Sequence, residues 1–363
     1  MNKTRANLSR IPYLDGLRAF SIFAVILNHS FVLTGTAYLQ FEAFGQLGVR
    51  IFFVLSGFLI TQLLLDEYDT TGKISIRGFY ERRIARIFPA FYLYLGVVLL
   101  GTLVHVFNVD RAAFLAAGTF TWNLNHFWRH GADLSVNNSL VWHFWTLSVE
   151  EQFYLLWPTC IGLLGKRWAA RLAIAGVIFL PLVRVAALLF LHPSALQSNI
   201  LYRYPQDELL WGVLLSFAVR KGLLDRLRNF RFRLALPWIS GILIFLVSPL
   251  LEMPYAPRGM NSYLTFTLQG IAIVFLIAWL LSGEGGVFRS LLESWPAVQV
   301  GLLSFSLYLW QQMFVTWPGM YWLPAPLRVV LALTVAILCY RLWELPMRKK
   351  IRQWFHQARL THT

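Results

Sequence analysis

Trp145 to Pro158 read WTLSVEEQFYLLWP, and this stretch decides the fold. Glu150 and Glu151 stand side by side at the head of an otherwise apolar run that continues to Leu164. Hydrocarbon cannot solvate a carboxylate, so an acid in such a run marks a functional site by default. Spacing separates the two. Ser148 and Glu151 have the spacing of a capping box, in which the serine caps the first helix amides and the glutamate reaches back to the backbone, and this is the reading preferred for Glu151. Glu150 falls in line with Tyr154 and Trp157 at helical spacing. It therefore faces an aromatic surface, where a carboxylate is expected only with a partner.

Working outward, the rest of the chain is of the same kind. Apolar residues make up 57% of the 363 positions, aromatic ones 16% and charged ones 13%, with a mean hydropathy of +0.57. These proportions belong to an integral membrane protein. The net charge of +15 implies no nucleic acid, because the bases fall between apolar runs, as they do in cytoplasmic loops. Cys160 and Cys339 both lie inside apolar runs, so neither a disulfide framework nor a thiolate metal site is indicated.

A span needs about 20 mainly apolar residues. Ten stretches come near that length: 14–33, 44–65, 87–107, 141–164, 172–191, 207–219, 236–250, 263–282, 297–315 and 327–345. The fold class expected is all-α, a polytopic integral membrane protein of about ten transmembrane helices. With the N-terminus inside, the cytoplasmic segments hold 23 Lys and Arg and the outer loops five, which places both termini in the cytoplasm. Arg18, Arg50, Arg184 and Arg341 lie within spans. The first apolar run is long, holds His29 and lacks a small-residue cleavage site, so it reads as a retained span and not a signal peptide. No internal repeat or low-complexity linker is evident. Residues 1–363 therefore read as one membrane-embedded domain with no appended soluble domain.

Arg18 and His29 are 11 residues apart in the first span, about three turns, which puts them on one face and roughly 16 Å apart along the axis. A lone membrane histidine is more often an interhelical hydrogen-bonder. An arginine on the same face favours a working pair, in which a neutral imidazole accepts a proton as general base. In the second span Gly48, Ser56 and Gly57 read as small residues for close helix packing. Arg82, Arg83 and Arg86 cluster at the start of the third span, where arginine forks beside free helix amides suit a phosphate. The outer loop carries Trp122, His126, Trp128, His130 and Asp133, better read as interfacial aromatics than as a metal site. Arg203, Asp207 and Glu208 sit at an outer boundary, where mutual pairing is the simple reading. Glu344 is placed to pair with Arg348 one turn on.

Taken together these stretches resemble the acyltransferase-3 family of multi-span bacterial O-acyltransferases. The residues that carry the resemblance are LDGLRAFSIFAVILNH with Arg18 eleven before His29, FFVLSGF, RRIARIFP, WTLSVEEQFYLLWP, SFSLYLW and the closing WELP. The resemblance implies an acyl-CoA donor, usually acetyl-CoA, reaching the protein from the cytoplasm. It implies a hydroxyl acceptor on an extracytoplasmic glycan or small molecule, no metal, and a bacterial inner-membrane location. His29 takes the family's catalytic role, Arg18 that of its basic partner, and Arg82, Arg83 and Arg86 the donor-binding motif. Two departures stand out. Trp310 is followed by Gln311 and Gln312 where many relatives have a histidine, and the late Arg–Asp motif is loosened to Arg203 and Asp207. On this reading Glu150, or another carboxylate, orients the His29 imidazole. The rival class is a transporter or exporter of the same glycan that uses Arg18, His29 and Glu150 as a substrate or proton path. Without a domain of its own for the acceptor, the chain meets it in the membrane domain or through a separate glycan-assembly partner.

Overall fold

The computed structural model describes residues 11–31, 38–124, 139–191, 207–230, 233–248, 260–283 and 285–360. Among them every regular element is helical and none is a strand. The helices are α1 (Pro12–Phe31), α2 (Tyr38–Thr71), α3 (Ile76–Leu103), α4 (Arg111–Gly118), α5 (Ser139–Trp142), α6 (Phe144–Leu191), α7 (Asp207–Arg220), α8 (Leu223–Arg228), α9 (Leu236–Ile242), α10 (Met260–Leu281), α11 (Gly286–Glu293), α12 (Trp295–Gln311), α13 (Ala325–Cys339) and α14 (Leu345–Leu360). Each of α9, α12 and α13 runs on into a π-helical turn.

Four described helical stretches are long and apolar enough to cross a membrane: Phe44–Thr71, Ile76–Leu103, Ser139–Ala186 and Ala325–Ala358. The count becomes five if the bent pair Thr265–Leu281 and Gly286–Glu293 is taken as one span. This is a helical multi-pass membrane protein. The expected ten spans are not all matched by such helices, and the physical reasons differ. Helix α7 has 14 residues and α9 only seven before its π turn, short of the roughly 20 that cross hydrocarbon unaided. In α1, Asp15, Arg18, Asn28 and His29 interrupt an otherwise apolar sequence. Outward-facing apolar side chains mark the lipid-facing sides: on α6, Leu163 is 77% exposed, and Leu155, Leu156, Phe179 and Leu182 are exposed beside it.

The sixth element also shows why sequence spacing found two spans there. Gly165 adopts φ 75° and ψ 164°, a left-handed conformation that bends α6 between residues 144–164 and 166–191. Close packing of small residues is the other organiser. A Cβ at Gly57 would lie 1.9 Å from the Leu209 carbonyl oxygen, and one at Gly212 would lie 2.1 Å from that of Val54. Helices α2 and α7 thus touch backbone to backbone, as expected for Gly57. Ser56 departs from that expectation, since its hydroxyl is used in the site described next.

Candidate active site

Helix α1 carries both ends of the site. Arg18 lies two turns in, and its charged neighbours are Arg83 and Arg86 from α3 and Asp15 one turn before it, at 3.6 Å. Ile22, Val25 and Ile26 fill the interval on toward His29 and are buried in the main apolar cluster. His29 ends the face. Its Nδ1 lies 2.9 Å from Oε1 of Gln311, the last α-helical residue of α12 before the π turn. Such turns recur at functional sites because they re-aim side chains that a regular helix would place elsewhere. The amide of Gln311 donates to Oε1 of Gln312 at 3.0 Å, and that of Gln312 to the carbonyl of Ser139 at 2.7 Å. A chain of side-chain amides therefore fixes the histidine ring.

The three arginines read as one motif separate in space. Arg82 pairs with Glu67 at 2.9 Å and is largely exposed. Arg83 turns inward and lies over the ring of Tyr154 at 4.5 Å, with Phe79 on its other side at 5.6 Å. Arg86 is exposed and makes no hydrogen bond or ion pair among the described residues. The structure thus brings Arg83 and Arg86 to Arg18 and leaves Arg82 outside. The expected free helix amides are also missing from this cluster. Helix α3 starts at Ile76, where Ser75 accepts from the Gly78 amide at 3.1 Å, so the arginines lie one to three turns inside the helix. Any anion there meets guanidinium groups and not the helix terminus.

Glu150 finds its partner on α2, where the Ser56 hydroxyl donates to it at 2.7 Å, and Arg18, Arg83 and Arg86 are its charged neighbours. It belongs to the Arg18 end and does not hydrogen-bond His29. The hydrogen bond to His29 expected of Glu150 is made by Gln311 instead, because 11 residues of helix separate the level of Arg18 from that of His29. The capping box is overturned as well. Ser148 lies inside α6, which begins at Phe144, and its hydroxyl accepts from the Trp122 amide at 3.2 Å. Glu151 does not reach back to the backbone, and its Oε1 has no hydrogen-bond partner. The aromatic line does hold against α2, where Trp157 donates to the Thr61 hydroxyl at 2.8 Å.

A second polar cluster was not foreseen. Arg184, on the second half of α6, pairs with Asp207 at the start of α7, and Asp207 also accepts from Thr267 at 2.7 Å and Trp211 at 3.2 Å. Arg50 lies 3.8 Å from Glu208, donates to Gln46 at 3.0 Å and to Gln269, and stacks on Phe266 at 4.1 Å. Asp207 and Glu208 are thus paired with arginines from other helices, and Arg203 lies outside the described residues. The signal was present in the four arginines counted within spans, each of which needs a buried acceptor. His126, Trp128, His130 and Asp133 lie outside the described residues too. Among those described, no group of three or more His, Cys, Asp or Glu gathers as for a metal. Glu344 is buried with Arg348 and Arg86 as charged neighbours, and its Oε1 has no hydrogen-bond partner.

Comparison with known proteins adds the family. A family model described as an acyltransferase domain matches residues 11–340. The chain is 28% identical over 366 residues to proteins named O-acetyltransferase OatA from Staphylococcus aureus strains NCTC 8325 / PS 47 and COL. That match covers 94% of this chain and 57% of each relative, so the chain spans little more than half the length of these relatives. No solved structure matches. The match to nearly the whole chain, over the helices that carry Arg18, His29, Arg83, Arg86 and Glu150, shows that this chain belongs to the acyltransferase-3 family.

Proposed function

We propose that this protein is an O-acetyltransferase that takes an acyl group from acyl-CoA, most simply acetyl-CoA, and passes it to a hydroxyl of a glycan or related small molecule outside the cytoplasm. The observation that carries this reading is the geometry of α1, which holds an arginine cluster at one end and an imidazole ligated by Gln311 at the other. Arg83 and Arg86 have no carboxylate hydrogen-bonded to them, so their forks remain available for the phosphates of the donor, with Arg18 beside them. The residues present therefore fit a polyphosphate.

His29 takes the proton of the acceptor hydroxyl as that oxygen adds to the thioester carbonyl, then gives it to the departing thiolate. Gln311 fixes which nitrogen is free for this work: with Nδ1 donating to the amide oxygen, Nε2 carries the lone pair. Glu150 balances the arginine charge at the far end and has no proton-transfer role in this scheme. The protein sits in the bacterial inner membrane with both termini in the cytoplasm, and the spans not matched by long apolar helices are completed by its shorter helices. A separate partner for glycan assembly presents the acceptor where the membrane domain does not. Mass spectrometry of cell-surface glycans with and without the protein tests the reading. A gain of one acetyl mass that depends on the protein supports it, and identical spectra contradict it.

A further inference from the structure

His143 stands between α5 and α6, is 5% exposed, and has neither Nδ1 nor Nε2 hydrogen-bonded. Its ring packs against those of Phe144, Tyr308 and Tyr94, with centroids at 4.2, 5.2 and 5.7 Å. The backbone, not the ring, is what anchors it: the Tyr308 hydroxyl donates to the His143 carbonyl at 2.7 Å. Tyr308 is one turn before Gln311 on α12, and Gln311 holds His29. His29 is in turn an electrostatic neighbour of the His143 ring. Two imidazoles far apart in sequence thus flank one stretch of α12.

A neutral imidazole carries one N–H and one lone pair, and both go unmet in His143. Buried polar groups are almost always hydrogen-bonded, so this exception calls for a cause. The two described hydroxyls whose rings pack on His143, those of Tyr94 and Tyr308, are already engaged, as are the amides of Gln311 and Gln312. Gln311 is bonded to His29 and Gln312, Gln312 to Ser139, and Tyr308 to Thr146 as well as the His143 carbonyl. Among the described residues no side chain that packs on the ring is free to bond it, which leaves the ring open to a group that arrives from outside the protein. It must accept a hydrogen bond in a site walled by aromatic rings, and it must do so close to His29.

We propose that His143 is a second catalytic imidazole, which donates its ring N–H to the carbonyl oxygen of the acyl group being transferred. The inference rests on the acyltransferase reading above. When the acceptor oxygen adds to the carbonyl carbon, the C=O π pair moves onto oxygen and His29 takes the hydroxyl proton. His143 stabilises that oxyanion by hydrogen bond and keeps its own proton throughout. On collapse the C=O re-forms, the C–S bond breaks, and the thiolate recovers the proton from His29. An imidazole packed among aromatic rings with its ring nitrogens unspent is placed to donate to a developing oxyanion, as preorganised donors do.

The test compares His143→Phe and His143→Gln with wild type in nanodiscs, using radiolabelled acetyl-CoA and alkali-treated, de-O-acetylated cell-surface glycan. His143→Phe should lower kcat by about 10²–10³-fold while leaving both KM values within about threefold, since the lost bond forms only as charge develops. Its melting temperature should hold or rise, because an apolar ring replaces two unpartnered polar atoms. His143→Gln, which keeps an N–H donor, should recover at least part of the lost kcat. A His143→Phe protein that turns over at the wild-type rate overturns the proposal. So does one that loses turnover only together with thermal stability, which is the behaviour of a packing residue. Wild-type protein that transfers no acetyl group contradicts the acyltransferase reading itself, a result distinct from either.

Discussion

Arg184 and Arg86 are the same residue type in one membrane protein, yet their surroundings differ in every respect that matters. Arg184 is 0% exposed and faces Asp207, also 0% exposed, in a cluster with Arg50, Glu208, Thr267 and Gln269 from four helices, α2, α6, α7 and α10. Each arginine there has a carboxylate as its ion-pair partner, and both pairs are buried. Arg86 is exposed and makes no hydrogen bond or ion pair among the described residues, beside Arg83 stacked on Tyr154. The difference teaches how to tell a fastener from a binding site. Buried charges that answer one another across helices hold the helices together, whereas charges open to solvent without a hydrogen-bonded acid are available to a ligand.

Substitutions can break or sharpen this comparison, and the largest effect belongs to the far end of α1. His29→Ala should reduce acyl transfer by about 10²–10⁴-fold, the usual contribution of a general base, with membrane abundance near wild type. Assaying transfer and abundance in the same membranes checks it, and activity within a few-fold of wild type would remove His29 from the mechanism.

Next comes the fastener. Asp207→Ala strands Arg184 without its carboxylate and should cost about 3–5 kcal/mol, seen as a lower unfolding temperature in detergent. Arg184→Met combined with Asp207→Leu should recover most of that loss, because an apolar pair of similar size needs no counter-charge. If the double variant proves as unstable as the single one, the cluster is more than a fastener.

A smaller effect is expected at the open end. Arg83→Ala with Arg86→Ala should raise the KM for acetyl-CoA by about tenfold or more, since hydrogen bonds to charged groups contribute about 1.5–3 kcal/mol each. The acceptor KM should stay near its wild-type value, and donor titration in nanodiscs separates the two. Smallest of all is Arg82→Ala. It removes only an exposed pair with Glu67, worth about 0.2–1 kcal/mol, so stability and donor KM should barely move. A donor defect as large as that of the Arg83 and Arg86 pair would restore Arg82 to the site.

The helices themselves were legible in sequence, because the apolar runs read as spans fall on α1, α2, α3, α6, α10, α12 and α13, even where a helix is shorter or more polar than a span requires. Their ends were less so. Hydropathy placed the third span at 87–107, whereas Ser75 caps a helix that starts at Ile76 and includes the polar segment before the apolar run. The same cause misassigned Ser148, since the helix begins one turn earlier than the cap spacing implied. The residues of the Arg18 end could be singled out one by one in the sequence, but their grouping depends on which way each side chain leaves its helix. Adjacent Arg82 and Arg83 point to different surroundings for this reason alone. Pairings such as Arg50 with Glu208, or His29 with Gln311, join residues more than 150 positions apart, and no local spacing encodes them. His143 sits two residues before the stretch read first. It passed unnoticed because only the packing shows that its ring is buried without a partner.

The central claim is that donor and acceptor approach from opposite faces and meet at His29. Sealed vesicles carrying the protein in one known orientation test it most directly, with acetyl-CoA on one side and de-O-acetylated surface glycan on the other. Transfer is predicted when acetyl-CoA is on the face that carries residues 66–86, and not when the two are exchanged. Transfer that requires both on the face of residues 66–86 would contradict the account, and would make the enzyme one that modifies its acceptor before export.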